Sequence, residues 1–385
     1  MDLSHIAEDP SGYTSLGLFS GAGGLDLGFE LAGFDHTESS DILEYATDTL
    51  KLNRPDWRVV HGDVREYTPS FRKGLDVLLA GFPCQGFSLG GHRNPNDERN
   101  QLYREVIRIA QLMKPRVIVM ENVLNLRTMV HPDTGKSFSA QITDELAAIG
   151  YKTKMAFFRV SGYGVPQTRR RFVFVAFRGN FNPYFDFPLP GDTENIRDYL
   201  LDLAVPSKVE LPNHNPKWGF DSHVHTETGG RVRSNEPILP VRFSRTASDG
   251  NPVRSLDQPF PAIDTATVWG WAQGDISANR VEKDRKKEIY VRNPNATAKL
   301  WRIKAKRLRV FTAREYARLQ TFPDSWEFVG KNKREVQLQI GNAVPVNFAR
   351  AIALSVRYAL AKVDGNQPLR VRHPTGAQLR MDVLQ

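Results

Sequence analysis

The single cysteine of this 385-residue chain, Cys84, lies in the sequence GFPCQGFS, directly after the apolar run VLLA. A free cysteine is commonly an inert packing residue. Two features favour a nucleophile instead. Pro83 restrains the backbone before the thiol, and the glycine-rich polar segment after it is a poor core segment. Nearby cations would lower the thiol pKa and make a thiolate usable. Taken alone, these residues are consistent with either a packing role or a nucleophilic role for Cys84.

A carboxylate follows a second apolar run, RVIVM, where Glu121 begins the sequence ENV. If the two runs are neighbouring strands, Glu121 reaches the same sheet edge as Cys84. Burial there would raise its pKa and suit a general acid, although a helix-capping or ion-paired Glu is the alternative. In QTRRRF, Arg169 and Arg171 would share one face of a strand. One of them would then pair with the carboxylate or hold a substrate carbonyl.

A glycine-rich turn, FSGAGG at 19–24, joins a β-rich run to an amphipathic helix. Its spacing is not that of dinucleotide enzymes, so a purely structural turn is an alternative to a ligand site. Asp41 ends the second predicted strand, where a carboxylate can accept both hydroxyls of a ribose. Asp63, after the third strand, is placed to accept from an adenine amine. These groups predict a nucleoside-bearing cofactor at the carboxyl ends of parallel strands.

The elements that must position these groups alternate between strand and helix over the first half of the chain. This alternation predicts an α/β fold with a doubly wound, mostly parallel sheet. After Arg178 the sequence is rich in Pro, Gly and aromatic residues, which predicts a smaller, irregular β-rich domain. We expect a catalytic and cofactor-binding domain at 1–180 completed by 325–363, a second domain at 181–324, and a polar tail at 364–385.

The charge balance points to a polyanionic partner. The net charge is +9, and residues 276–310 hold twelve Lys or Arg against three acidic residues. A solvated charged face would have the same composition, but Tyr290 and Trp301 among the charges favour nucleic acid.

The remaining composition excludes several classes of protein. One cysteine allows no intramolecular disulfide, and the absence of Cys/His clusters predicts no metal site. The sequence shows neither a secretory signal pattern nor an apolar run of membrane-spanning length, so we expect a cytoplasmic protein with no membrane partner.

Six motifs together resemble those of the C5-cytosine-specific DNA methyltransferases, and they occur in that family's order. They are FSGAGGLDLGFELAG, GFPCQGFS, ENV, QTRRR, RVFTAREYARLQTFPDSW and QIGNAVPV. The resemblance is close over 13–178 and 309–360. Between these segments the chain matches only in position, as the family's variable target-recognition region. The resemblance implies a Rossmann-like methyltransferase fold with a target-recognition domain at 181–324.

The resemblance also implies a mechanism. Cys84 would attack C6 of a flipped-out cytosine, and Glu121 would contact N3 and the exocyclic amine as a proton donor. Arg171, with Arg169, would hold O2 and order the other two groups. C5 would then take the methyl group of S-adenosylmethionine, leaving S-adenosylhomocysteine.

The same resemblance assigns binding residues. For the cofactor they are Phe19, Gly21, Gly23, Gly24, Asp41, Ile42, Asp63, Val64, Pro83, Leu102, Asn342 and Val344. For DNA they are Gln85, Ser88 and Arg99, in or beside a segment that resembles the family's mobile loop.

The implied partner is double-stranded DNA, with the basic run at 276–310 on the phosphates. The implied setting is bacterial restriction–modification, with a functionally paired endonuclease, or an orphan enzyme that has none. We expect a monomeric chain. An RNA cytosine-C5 methyltransferase on the same scaffold is the alternative, which the extended basic region disfavours. A non-enzymatic DNA-binding protein is disfavoured by the intact Cys84, Glu121 and Arg171. A nicotinamide-dependent oxidoreductase is the remaining alternative.

Overall fold

The structure is a computed structural model of the whole chain, with no ligand. The residues it describes are 7–70, 74–87, 94–179, 184–204, 211–215, 226–228, 238–242, 253–263, 269–273, 276–282, 299–305 and 307–365.

Seven strands form the central sheet. They are β1 (Thr14–Leu18), β2 (Asp35–Asp41), β3 (Arg58–His61), β4 (Val77–Ala80), β5 (Val117–Asn122), β6 (Tyr151–Arg159) and β7 (Arg170–Arg178). Their order is β3-β2-β1-β4-β5-β7-β6, with the first five parallel. Strand β7 runs antiparallel to both β5 and β6. The expected mostly parallel α/β sheet is thus confirmed, and β4 and β5 are buried at every position, as parallel strands covered on both faces are.

The helices are α1 (Gly24–Leu31), α2 (Glu44–Asn53), α3 (Tyr103–Met113), α4 (Phe138–Ala148), α5 (Arg197–Ala204), α6 (Ala313–Leu319), α7 (Lys333–Asn342) and α8 (Val346–Val363). Apolar clusters cover both faces of the sheet, one with α1 and α8, the other with α3 and α4. Helix α1 lies so close to α8 that a Cβ on Gly28 would overlap the Cβ of Ala349. This close approach brings the C-terminal helices to the same sheet edge as the glycine turn. Of the described helices, none is long and apolar enough to cross a membrane.

Further strands lie outside the central sheet: β8 (Thr226–Thr228), β9 (Ile238–Arg242), β10 (Trp269–Gln273), β11 (Ser277–Glu282), β12 (Lys299–Ala305) and β13 (Arg307–Val310). They form two three-stranded sheets, β13-β10-β9 and β11-β12-β8, paired antiparallel except for β12 with β8. The expected smaller β-rich part is present. Helix α5 was not expected there; it forms because Tyr199, Leu200 and Ala204 pack into a buried cluster.

A buried polar cluster joins α6 to the sheet β13-β10-β9. Glu315, in the first turn of α6, accepts hydrogen bonds from Arg309 and from the Trp271 indole, each at 2.6 Å to Oε1. It also closes a capping box with Thr312. Because breaking a buried ion pair is costly, this cluster fixes β10 and β13 firmly to the helix.

Candidate active site

A cavity of about 350 Å³ opens where the carboxyl ends of β1, β2, β4 and β5 meet. Helix α7 and the turn after it form the opposite wall. This is the edge at which open α/β sheets bind ligands. The predicted site residues that line it are Phe19, Gly21, Asp41, Ile42, Asp63, Val64, Pro83, Cys84, Gln85, Arg99, Leu102, Glu121, Arg171, Asn342 and Val344. Sequence motifs far apart in the chain therefore meet around one space.

Cys84 follows β4 and lines this cavity with a half-buried thiol. Its carbonyl accepts from the N–H of Phe87, which closes a turn directly after the cysteine. Burial raises the pKa of the thiol above its ordinary value; Arg171 lowers it and Glu121 raises it further. The thiol thus lies at the cavity, next to the cation of Arg171, and is not enclosed in the apolar core.

Glu121 lies one residue before the end of β5, and its side chain forms an ion pair with Nε of Arg171. Only 8% of the glutamate is exposed, and burial raises its pKa while Arg171 opposes that shift. The antiparallel direction of β7 explains the pairing, since it places the start of β7 beside the end of β5. A buried carboxyl with a raised pKa beside a thiol has the properties that a general acid needs, and the role of Glu121 stays a prediction.

Arg169 differs from the expectation that it would point with Arg171 at one group. Its Nη1 donates to the carbonyls of Ile263 and Gly341, both at 2.9 Å, and it does not line the cavity. Arg169 and Arg171 are both buried, with exposed Arg170 between them, but the guanidinium of Arg169 is held by these two backbone carbonyls instead of by Glu121. Arg169 therefore ties the polypeptide near Ile263 to the end of α7.

The glycine turn has the backbone that its sequence predicts. Phe19, Gly21 and Gly23 all have positive φ, at 55°, 53° and 84°. The N–H of Gly21 donates to Oδ2 of Asp41 at 2.8 Å, and the N–H of Leu43 donates to Oδ1 at 2.9 Å. Burial raises the pKa of Asp41, and these backbone hydrogen bonds oppose the rise. Asp41 both holds the turn and presents a carboxyl group to the cavity.

Gly23 and Gly24, which were expected to contact the cofactor, do not line the cavity. A Cβ on Gly24 would overlap the carbonyl oxygen of Val344, and one on Gly23 would lie 2.6 Å from the Leu50 side chain. In the structure these glycines allow helix α1 and its neighbours to pack closely. This packing supports the wall of the cavity, although neither glycine contacts the space itself.

Asp63 lies at the cavity as expected, but an unforeseen neighbour, Arg65, binds its carboxylate. The Arg65 side chain donates to both oxygens, with Nη2 2.7 Å from Oδ2, and its N–H donates to Oδ1 at 2.9 Å. These bonds hold the pKa of Asp63 below its usual range. An acid two residues before an arginine was the only sequence signal for this pair.

Short contacts hold the segment around Cys84 on both sides. Asn122 donates to the carbonyl of Phe82, and Asn125 to that of Phe87, both at 3.0 Å. A Cβ on Gly86 would overlap Oδ1 of the buried Asn100. Among the predicted DNA contacts, Gln85 and Arg99 line the cavity. Ser88 lies outside the described residues.

Sequence reasoning missed a polar group beneath the glycine turn. Asp26, in the first turn of α1, lines the cavity together with Ser40 of β2. Oδ2 of Asp26 accepts from Ser39 Oγ at 3.0 Å, and Ser39 Oγ is 2.8 Å from His36 Nε2. Burial raises the pKa of Asp26 to about 7 and lowers that of His36 to about 3. An acid in a first helical turn is common, so its type and position gave no signal.

The fold and the cavity define an α/β methyltransferase. The sheet has the reversed strand β7, and a cavity lies where the glycine turn meets the carboxyl ends of the strands. The chain belongs to the C-5 cytosine-specific DNA methylase family, whose sequence model matches residues 13–357.

Similar proteins include two bacterial Type II methyltransferases. M.NgoMIV of Neisseria gonorrhoeae is 30% identical over 362 residues, which cover 91% of this chain and 99% of that protein. M.Eco47II of Escherichia coli is 33% identical over 359 residues, covering 91% of this chain and 80% of that protein. In fold, the chain is similar to the Dnmt2 methyltransferase of S. pombe, with a TM-score of 0.52 and 17% identity over 93% of this chain and 99% of that one.

Proposed function

We propose that the chain transfers a methyl group from S-adenosylmethionine to C5 of a flipped-out cytosine in a specific sequence of duplex DNA. A covalent bond between Cys84 and C6 of the base would carry the reaction. The observation that supports this most is that Cys84, Glu121 and Arg171 line one cavity together with the glycine turn. Each side chain suits one part of the chemistry.

The Cys84 thiol gives its proton to water as its sulfur forms a bond to C6. Glu121, whose pKa is raised by burial, is the group that we assign as proton donor to N3 of the ring, where it stabilises the charge that develops. Arg171 orients Glu121 through their ion pair and stabilises the Cys84 thiolate. Once C5 carries the methyl group, its proton passes to water, the proton on N3 returns to Glu121, and elimination of Cys84 releases the methylated base.

The cavity fits S-adenosylmethionine. Asp41 has a buried carboxyl for the ribose hydroxyls, and apolar side chains surround the space for a purine. The hydroxyl of Ser40 is buried there without a hydrogen-bond partner among the described residues, as expected of a group that meets a polar ligand. When bound, the cofactor supplies an electrophilic methyl group. The chain's own residues bind it, exclude water and place C5 beside it.

A stacked cytosine hides C6 from a thiol, so the base must leave the helix; DNA methyltransferases are among the standard cases of base flipping. We assign Gln85 and Arg99 to the DNA side of the cavity entrance, beside Cys84. Of the predicted phosphate contacts at 276–310, residues 283–298 and 306 lie outside the described residues.

The proposed organisation is a catalytic and cofactor-binding domain at 1–180, completed by 325–363, with a target-recognition domain at 181–324. The tail at 364–385 lies almost wholly outside the described residues. We further propose that the protein acts in the cytoplasm as a monomer, paired functionally with a restriction endonuclease that reads the same sequence. The Type II names of its relatives support the last point.

Trapping with 5-fluorocytosine tests the covalent step. Methylation sequencing of DNA from a host that expresses the protein first identifies the target sequence. A duplex with that sequence is then the substrate. Wild-type protein should form a denaturant-resistant complex with a 5-fluorocytosine duplex in the presence of cofactor, and Cys84→Ala should form none. Equal trapping by both proteins would refute the mechanism. Methylation of tRNA in preference to the duplex would favour the RNA alternative.

A further inference from the structure

Three side chains form a polar floor beneath the glycine turn: Ser20, Asp26 and Ser40, all of which line the cavity. Asp26 is 1% exposed and Ser40 is 3% exposed. The Ser20 hydroxyl lies beside the Asp26 carboxyl group. In the part of the chain that the structure describes, Ser40 Oγ has no hydrogen-bond partner. Buried hydroxyls are normally paired, so this one marks a place where a polar ligand group fits.

The acid in the polar floor has no cationic partner among the described residues. Ser39 donates to its Oδ2 at 3.0 Å, and Nε2 of His36 lies 3.9 Å from the same oxygen. Burial lowers the pKa of His36 to about 3, so this ring is neutral at physiological pH. The other charged group that acts on Asp26 is Asp41, which repels it. A buried carboxylate without a cation is costly, and a positively charged ligand group would remove that cost.

We propose that the polar floor binds the α-ammonium group at the amino-acid end of the cofactor, with Asp26 as the counter-ion and Ser40 as a further acceptor. This inference rests on the proposed function, because it concerns the same cofactor. An ammonium has three N–H donors and no acceptor, which matches a carboxylate flanked by hydroxyl oxygens. A carboxylate in this place would be repelled by Asp26. With Asp41 on the ribose, the polar floor fixes the opposite end of the ligand.

Binding of the ammonium group should change the protonation of Asp26. Burial raises the pKa of free Asp26 to about 7, so near neutral pH a fraction of the molecules carries a proton there. A bound ammonium favours the ionised carboxylate and lowers that pKa, so binding releases a proton to the buffer. Ligands without the amine release none from Asp26.

Calorimetry of the intact protein with S-adenosylhomocysteine and with its deamino analogue tests the proposal. Wild type should bind S-adenosylhomocysteine more tightly than the analogue. Asp26→Asn should weaken S-adenosylhomocysteine by roughly tenfold, the loss of one charge-assisted hydrogen bond, and leave the analogue nearly unchanged. Titrations in buffers of different ionisation enthalpy should show proton release for the amine-bearing ligand in wild type and none in Asp26→Asn.

Two further variants keep the test decisive. Ser40→Ala removes a hydroxyl from the cavity and should reduce selectivity for the amine by a few-fold, even if Asp26→Asn does not fold. Ser39→Ala is the matched control, since Ser39 contacts Asp26 but does not line the cavity. It should retain the preference for the amine.

Equal losses for both ligands in Asp26→Asn and Ser40→Ala would overturn the inference, because the polar floor would then only support the turn. Failure of the wild type to bind either ligand would instead overturn the proposed cofactor, and this inference with it.

Discussion

Arg171 and Glu121 form an ion pair across two antiparallel strands, with Arg171 near the start of β7 and Glu121 near the end of β5. If β7 ran parallel to β5, Arg171 would lie at the opposite end of the strands from Glu121. The reversed strand thus brings a guanidinium to an edge that is otherwise formed by carboxyl ends of strands. The same guanidinium lowers the pKa of both Glu121 and Cys84.

Arg171→Ala should therefore slow covalent trapping by about 100-fold, the lower range for losing a group that acts on an acid–base pair. Both pKa values lose their lowering cation, so the remaining activity should shift to more alkaline pH. Trapping rates between pH 6 and 10 measure this. Arg170→Ala is the control, because Arg170 is exposed and offers Arg171 only its backbone carbonyl. An unchanged pH profile in Arg171→Ala would contradict the role of the ion pair.

The lone thiol permits a direct measurement of its pKa. Burial raises that pKa, so the thiol is protonated at neutral pH and alkylation by iodoacetamide should rise only as pH passes above the ordinary cysteine value of about 8.5. Mass spectrometry after timed alkylation follows one site without ambiguity, since Cys84 is the only cysteine. A midpoint well below neutral pH would show that Arg171 outweighs burial.

Gly86→Ala should destabilise the fold by about 1–3 kcal/mol, the usual cost of overpacking. The new methyl group would overlap Asn100, which is held in place because it donates to the carbonyl of Asn94 at 2.8 Å. Urea unfolding measures the loss. Gly81→Ala is the matched control, since the nearest atom there is at 3.8 Å, an ordinary contact. Adding Asn100→Ala to Gly86→Ala should recover part of the lost stability. If no stability is recovered, the overlap with Asn100 is not the cause of the loss.

Arg169→Met should act on cofactor binding rather than on chemistry. The substitution leaves the carbonyls of Ile263 and Gly341 without their shared donor, and Gly341 immediately precedes Asn342 of the cavity wall. We expect the KM for the cofactor to rise several-fold while kcat changes little. A large loss of kcat with an unchanged KM would instead indicate that Arg169 acts in the chemical step, together with Glu121 and Arg171. Arg159→Ala, at an exposed position of β6, controls for loss of positive charge.

Much of the site was predictable because strand ends in a parallel sheet share an edge. Cys84, Glu121 and Asp41 each follow or end an apolar or β-rich run, and a sheet of the expected kind brings such ends together. The strands themselves were recognisable from short β-rich runs such as VIVM. Alternation of strand and helix then indicated the class of fold.

The rest depends on information that local patterns do not hold. The direction of β7 is decided by its partners, so the Arg171 ion pair was predictable only in outline. Gly23 and Gly24 belong to a binding motif, yet tertiary packing decides that they face helices and not the cavity. The acid of the polar floor, Asp26, looks like an ordinary first-turn helix residue until the depth of its burial is known. The pairing of Arg65 with Asp63 likewise became visible only in three dimensions.

The cavity wall at α7 has a consequence for how the protein is made. Cys84 and the glycine turn are synthesised before Asn342 and Val344, which line the same cavity more than 250 residues further along the chain. Until α8 docks on α1, a nascent chain contains Cys84 but only an open half of the cavity. Fragments that end before α7 should thus be inactive, and a chain split between β7 and α6 should regain activity only when both pieces are present.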